Sequence, residues 1–146
     1  MRLRRDAGQV AGLEALVFGL LVFVVGILAF AELWALVDAK IATVDAATEA
    51  ARAFVQAQGP VDATAAATSA ARASVAVRGD DASRTTVAIT GQLRRCSAVT
   101  VDVAYVVPLI RLPFIDVGGR LVTVHGHHRE LVDAYRSGLN GAGGCA

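Results

Sequence analysis

A single apolar run constrains this chain more than any other feature. The seventeen residues from Ala15 to Ala31, ALVFGLLVFVVGILAFA, contain no charged or strongly polar side chain. The whole chain is 55% hydrophobic with only 5% aromatic residues, and its mean hydropathy is +0.53. That balance is more apolar than an ordinary water-soluble domain requires. The run therefore predicts either a membrane-spanning helix or an export signal.

Two carboxylates bracket this run. Glu14 and Glu32 lie eighteen residues apart in the sequence. On a helix that separation is roughly 27 Å, close to the hydrocarbon thickness of about 30 Å. Both acids can therefore reach opposite headgroup layers of one bilayer.

The basic residues around the run indicate its orientation. Arg2, Arg4 and Arg5 precede it, and the first basic residue after it is Lys40. The excess of positive charge predicts a cytoplasmic N-terminus, and an exported chain after about Trp34. A net charge of +1 gives no reason to expect a nucleic-acid partner.

The helical pattern continues beyond the apolar run. Its apolar positions alternate between spacings of four and three, which is typical of a helix that packs along another helix. We call these positions the predicted seam: Val37, Ile41, Val44, Thr48, Ala51 and Val55. Gly59 and Pro60 should end the helix. The sequence thus predicts one helix from near Gly8 to Gln58.

The rest of the chain predicts a second helix and a small sheet. Residues 61–77 are rich in alanine, with Asp62 as the expected helix cap, and the polar segment RGDDASR indicates a turn. Three segments with a period of two then follow, TTVAIT, AVTVDVAYVV and RLVTVHGHH. Pro108 and Pro113 should stop the middle segment. We expect an α+β fold: a long N-terminal transmembrane helix that extends into the exported side, a second short Ala-rich helix, and a small three-stranded antiparallel β-sheet.

The chain has two cysteines, Cys96 and Cys145. Both fall on the predicted exported side, where disulfides persist. A bridge that closes so long a loop would stabilise the fold by roughly 4 kcal/mol on the chain-entropy model. The alternative is two unpaired thiols, one of them on a Gly-rich tail.

Few residues suggest chemistry. His125 and His127 share one face of a strand and His128 follows them, but no further ligand has a spacing that would complete a tetrahedral metal site. The sequence contains no nucleophile motif and no Gly-rich phosphate loop. We therefore expect neither an enzyme nor a cofactor, and a small exported metal-binding protein that uses His125 and His127 is the weakest alternative.

Two parts of the sequence carry a family resemblance. RRDAGQVAGLEALVFGLLVFVVGILAFAELWALVDAKIATVDAATEAAR, at residues 4–52, combines a short basic leader, Gly-Gln, a glutamate, an apolar helix and an AA-x-EAAR-like segment. VTVDVAYVVPLIRLPFI, at residues 99–115, has a V-x-V-x-Y-x-V-P-L pattern. Both resemble TadE-like proteins, minor pseudopilins of the tight-adherence (Flp) type IV pilus system.

The resemblance implies a processing site and a set of partners. A prepilin peptidase would cleave after Gly8, which would leave Gln9 as the mature N-terminus and Glu14 as the signature acid. Pilin-like chains usually place that acid fifth in the mature protein, whereas Glu14 is sixth counted from Gln9. The implied regions are a basic leader (1–8), a transmembrane and extended helix (9–58) and an exported domain (59–146). The implied partners are the major pilin, other minor pseudopilins, the inner-membrane assembly platform and membrane lipid.

Glu14 has a physical role that does not depend on the family. A carboxylate among packed helices, away from water, is costly unless a cation pairs with it, and the new terminal ammonium of a neighbouring subunit is such a cation. Glu14 would then set the register between helices. In the alternative, it marks the cytoplasmic end of an anchor and reaches the headgroups.

Two other accounts of the same segment stay open. The chain would be an envelope protein if the signal anchor were uncleaved and the exported sheet bound a wall or membrane partner. It would be a released protein if the A-x-A triplet at residues 29–31 were a signal-peptidase site that freed the chain at Glu32.

Overall fold

The computed structural model describes residues 7–108, 121–141 and 145, with side chains from residue 14 onward. Its elements confirm the predicted α+β fold. Two helices, α1 (Ala7–Gln56) and α2 (Pro60–Val77), lead through a short 3-10 helix (Ala82–Arg84) into three strands. The strands are β1 (Thr85–Thr90), β2 (Ala98–Pro108) and β3 (Leu121–Leu131). Pro113 lies outside the described residues.

The chain forms two compact units, residues 1–35 and residues 36–146. The described part of the first unit is helical throughout and belongs to α1. The second unit contains the remainder of α1, the helix α2 and the sheet. The residues of α1 after Ala35 are therefore part of the globular unit.

The Gly59-Pro60 pair separates the two helices. α1 ends at Gln56, two residues before the predicted end, and Pro60 occupies the first turn of α2, where its missing N–H costs nothing. Gly59 is the N-cap, with extended backbone and no capping side chain. The prediction that Asp62 caps α2 was wrong. Asp62 lies in the first turn of α2, where its negative charge still favours the positive end of the helix dipole.

The sheet is an antiparallel meander in the order β1-β2-β3. Val87 of β1 pairs with Val103 of β2, which pairs in turn with Gly126 of β3. Alternate side chains of β2 point into the core and are at most 7% exposed, as the period of two predicted; they are Val99, Val101, Val103, Tyr105 and Val107. The opposite face carries most of the polar side chains of the sheet, beside Ala104 and Val106 of β2.

Alanine dominates the helical side of the core. Ala46, Ala47, Ala50 and Ala51 of α1 are completely buried, and so is the row Ala63, Ala67, Ala71 and Val75 of α2. They form one cluster with the inward valines of the sheet. Small side chains let the helix backbones approach their neighbours closely, so the burial is extensive even though each side chain contributes little area.

The predicted seam is only in part the face by which α1 packs within the chain: Ala51 is completely buried and Val55 packs against the core, but the earlier positions differ. Val37, Ile41 and Val44 are 46%, 49% and 38% exposed, while the buried face consists of the neighbouring alanines and Thr43. The sequence pattern gave priority to the larger apolar side chains. The tertiary fold buries mainly the smaller ones, because the helix backbone lies close against the sheet at Thr43 and leaves little space for large side chains.

Candidate functional site

The apolar segment of α1 is exposed along its length. Its large side chains range from 47% exposed at Val24 to 69% at Phe18, and only Leu28 is intermediate. So large an apolar surface marks a site of contact with lipid or with other chains. Within the described residues, α1 is the one helix long and apolar enough to cross a membrane, although an export signal has the same length and composition.

Glu14 lies at the start of this segment, with an exposed side chain. The backbone of Gly8 and Gln9 is already helical, because α1 begins at Ala7, and the side chains of residues 7–13 lie outside the described part. Glu14 lies five positions after Gln9, which corresponds to about 7.5 Å along a helix axis. A mature N-terminus at Gln9 would therefore leave the ammonium group more than one helical turn from its own Glu14.

Two aromatic rings stack near the other end of the apolar segment. The ring centroids of Phe30 and Trp34 are 6.3 Å apart, with 25° between the ring planes. Tryptophan is enriched at the interface between membrane and water, where its ring contacts both headgroups and tails. The pair fits the point at which the segment would leave the hydrocarbon layer.

Beyond Ala35, α1 approaches the sheet very closely at Gly126. A Cβ atom added to Gly126 would lie 2.3 Å from the carbonyl carbon of Thr43 and 2.5 Å from the nitrogen of Val44. Thr43 itself is completely buried, and its hydroxyl donates to the Lys40 carbonyl at 2.9 Å. A glycine inside a strand is a known signal of close backbone approach, so the sequence offered a signal for this contact that the predictions above did not use.

Charged contacts at the surface join α1 to α2 and to β3. Arg78, at the C-terminal end of α2, forms ion pairs with two carboxylates of α1, Asp38 at 3.6 Å and Asp45 at closer range. The Lys40 ammonium donates to the His125 carbonyl of β3. Both cations thus join α1 to elements distant in sequence. Sequence reasoning missed them because their partners lie 33 and 85 residues away.

The segment RGDDASR forms the turn that the sequence predicted. Gly79 has a φ of +84°, a conformation that favours glycine, and Asp81 caps the 3-10 helix by accepting from the Ser83 N–H at 3.0 Å. Hydrogen bonds from the Ser83 side chain and backbone lower the pKa of the Asp81 carboxyl. The Arg-Gly-Asp triplet at residues 78–80 therefore forms a structural turn whose charged side chains contact other parts of the chain.

Tyr105 joins the same turn to the sheet. Its hydroxyl donates to Asp80 Oδ1 at 3.4 Å, and the residue as a whole is only 5% exposed. Burial raises the pKa of the Tyr105 hydroxyl, and the nearby Asp80 charge adds to the effect. The hydroxyl therefore stays protonated and available as a donor across the ordinary pH range.

The three histidines do not form one cluster. His125 and His127 share one face of β3, as predicted, whereas His128 points to the opposite face and lies 3.7 Å from Glu130. Among the described residues, no group of three or more His, Cys, Asp or Glu side chains is placed to hold a metal ion. Within those residues the structure gives the metal-binding alternative no support.

A disulfide links Cys96 to Cys145. The segment before Cys145 also packs against the loop between β1 and β2: Arg95 N–H donates to the Asn140 carbonyl at 3.0 Å, and Arg95 Nε donates to the Arg136 carbonyl at 2.7 Å. Arg136 in turn donates to the Ala57 carbonyl at the end of α1. The C-terminal segment is thus attached to both the loop and α1.

Comparisons with protein-family models, with curated proteins and with solved structures find no match for this chain.

Proposed function

We propose that this chain is a non-catalytic, membrane-anchored pseudopilin that takes part in assembly of a tight-adherence type IV pilus or a related secretion apparatus. The observation that carries the proposal is that α1 has two parts with different surroundings. One continuous helix presents an exposed apolar segment between Glu14 and Glu32, and after Ala35 it packs an alanine face against an antiparallel sheet. An exposed apolar helix segment that continues into a folded unit suits a subunit that assembles by helix packing.

The proposed topology is a single pass through the cytoplasmic membrane, with the N-terminus in the cytoplasm and the globular unit outside. The basic leader favours this orientation. The Cys96–Cys145 disulfide is consistent with it, because such bridges persist in oxidising compartments.

Glu14 is the residue to which we assign the register between subunits. It is an exposed carboxylate at the edge of an apolar helix surface. When such surfaces pack together, the carboxylate loses water and gains stability from a cation in the neighbouring subunit. After cleavage by a prepilin peptidase, the ammonium group of Gln9 in that subunit would supply the cation.

The exposed first part of the predicted seam gives partners a second contact. Val37, Ile41 and Val44 form an apolar row on a helix whose opposite face is already buried. The major pilin or another minor pseudopilin could pack its own helix along this row. In this proposal α1 packs its alanine face within the chain and presents its valine and isoleucine row to other subunits.

The mature N-terminus tests the proposal directly. Mass analysis of the chain purified from its membrane should find Gln9 as the first residue. An intact Met1 would instead identify an envelope protein with an uncleaved signal anchor, and a start at Glu32 would identify a released protein.

A matched pair of variants tests the role of Glu14. Glu14→Gln should insert into the membrane normally but lose co-purification with pilin subunits, because the neutral amide cannot pair with an ammonium group. Glu32→Gln changes the other acid that brackets the same segment and should retain co-purification. Equal behaviour of the two variants would contradict the assigned role.

A further inference from the structure

The C-terminal segment, residues 133–141 together with Cys145, is attached to the loop between β1 and β2. Its disulfide is one attachment. Arg95 of that loop makes two more, because its backbone N–H donates to the Asn140 carbonyl at 3.0 Å and its Nε donates to the Arg136 carbonyl at 2.7 Å. The disulfide and the polar contacts therefore converge on one short part of the loop.

The C-terminal segment contributes little to the core. Val132, the residue before it, is completely buried, whereas none of the residues 133–141 is. Tyr135 is 86% exposed, and Leu139 packs against the core cluster as a partly buried side chain. A segment with few buried apolar contacts opens locally at a small cost in free energy. The disulfide and the polar contacts therefore keep this segment in place.

Two backbone hydrogen bonds fix the point at which this segment leaves the globular unit. The Cys96 N–H donates to the Val132 carbonyl at 3.0 Å, and the Val132 N–H donates to the Ser97 carbonyl at 2.9 Å. Neither bond involves the cysteine side chains, and Val132 is itself part of the core cluster. Val132 therefore has anchors that do not depend on the disulfide, and the residues after it do not share them.

The C-terminal segment also supplies a cation to the end of α1. The last turn of α1, residues 53–56, contains no basic residue. Arg136, which lies 79 residues further along the chain, donates from Nη2 to the Ala57 carbonyl at 2.7 Å. Carbonyl groups at the end of a helix carry partial negative charge and lack partners within the helix, so a guanidinium group there is stabilising. Arg136 is thus a cap of α1.

The disulfide is accessible to a reagent in solution. Cys145 is exposed and Cys96 is half-buried. Exchange begins when a thiolate attacks one of the two sulfur atoms, so it requires such access. The chain contains only these two cysteines, and the disulfide therefore cannot rearrange within one molecule. Exchange with an external dithiol has two end states, the closed disulfide and a pair of free thiols.

We propose that the Cys96–Cys145 disulfide is a redox-controlled latch, and that opening it releases the C-terminal segment and removes the Arg136 cap from α1. A thiolate of an external dithiol, such as a reduced thiol–disulfide oxidoreductase, attacks the Cys145 sulfur and displaces the Cys96 thiolate, which takes up a proton. The second thiol of the dithiol then displaces Cys145 as a thiol. The dithiol leaves as a disulfide, so two electrons and two protons pass to the chain.

This proposal concerns the globular unit alone and does not depend on processing at Gly8 or on a pilus. It makes a thermodynamic prediction, because the hydrogen bond from Arg136 to Ala57 exists only when the latch is closed. Weakening a contact that only the oxidised form makes must favour the reduced form. A disulfide that merely staples a segment already held by its other contacts has no such coupling.

The redox equilibrium of the full chain in detergent tests this coupling. Mixtures of reduced and oxidised dithiothreitol, followed by alkylation of free thiols and mass analysis, give the equilibrium constant. Arg136→Ala should favour reduction by about tenfold, the net contribution of a hydrogen bond from a charged donor. Arg52→Ala removes an exposed cation of α1 that pairs with Glu49, and should leave the constant unchanged. An unchanged constant in Arg136→Ala, or equal shifts in the two variants, would overturn the proposal.

NMR of the unmodified chain tests the release without a substitution. Addition of dithiothreitol should change the backbone chemical shifts of residues 54–58, 91–97 and 133–141, and the Ala57 carbonyl resonance should move as its donor leaves. The dispersed signals of β2 should persist. Changes confined to the two cysteines and their neighbours would overturn the proposal, because the segment would then stay in place. Loss of the β2 dispersion would also overturn it, because the disulfide would then hold the whole unit together.

Discussion

Gly126 of β3 lies against the backbone of Thr43 in α1, so closely that a Cβ atom at position 126 would be 2.4 Å from the Thr43 carbonyl oxygen. The obstructing atoms belong to a helix backbone and cannot rotate away. The distance between α1 and the sheet is therefore set by the absence of a side chain at this one position.

Gly126→Ala should lower the free energy of unfolding by about 1–3 kcal/mol, because the helix must move away from the sheet to admit the methyl group. Urea unfolding followed by circular dichroism measures the change. Thr123→Ala, on the exposed face of the same strand, is the control and should change stability by less than about 0.5 kcal/mol. Equal effects of the two variants would show that the close approach does not limit the packing.

Loss of the disulfide should destabilise the globular unit by about 4 kcal/mol, because the bridge restricts the unfolded chain across a sequence separation of 49 residues. Paired Cys96→Ser and Cys145→Ser substitutions should reproduce the effect of reductant on the unmodified chain. Urea midpoints with and without reductant measure it. A variant as stable as the oxidised chain would mean that the polar contacts of Arg95 and Arg136 alone retain the C-terminal segment.

Arg78→Ala should destabilise the chain by about 1 kcal/mol, since it removes both ion pairs between α2 and α1. A double-mutant cycle with Asp45→Ala should reveal a coupling energy between the two positions. Arg52→Ala, which breaks an exposed pair with Glu49 inside one helix, is the matched control and should cost only a few tenths of a kcal/mol. Zero coupling would show that Arg78 and Asp45 act independently.

The Asp81 carboxyl should titrate below its ordinary pKa of 3.8, because the Ser83 hydroxyl and N–H donate to its charged form. A lowered pKa in the folded state stabilises the fold above pH 3.8, and this contribution disappears as the pH falls through the lowered value. Ser83→Ala removes the hydroxyl bond, which is the largest cause, and should move the pKa of Asp81 back towards 3.8. Carboxyl chemical shifts followed by NMR measure both values, and an unchanged pKa in Ser83→Ala would contradict this explanation.

The sequence determined the elements of this protein because their signals are local. The apolar run, the Gly59-Pro60 pair and the alternation of Val99, Val101 and Val103 each depend on neighbouring residues, and each was confirmed in position within about two residues. The face shared by His125 and His127 followed from the same period of two. These features need no knowledge of what lies opposite in space.

The tertiary structure decided which faces meet. Only the fold shows that α1 buries its alanines and leaves Val37 and Ile41 exposed, because the choice depends on the distance to a strand more than 80 residues away. The contact of Gly126 with Thr43 and the two ion pairs of Arg78 have the same origin. A sequence period specifies which side chains share a face, but the free energy of packing depends on the shape of the partner surface, and that surface exists only in the folded chain.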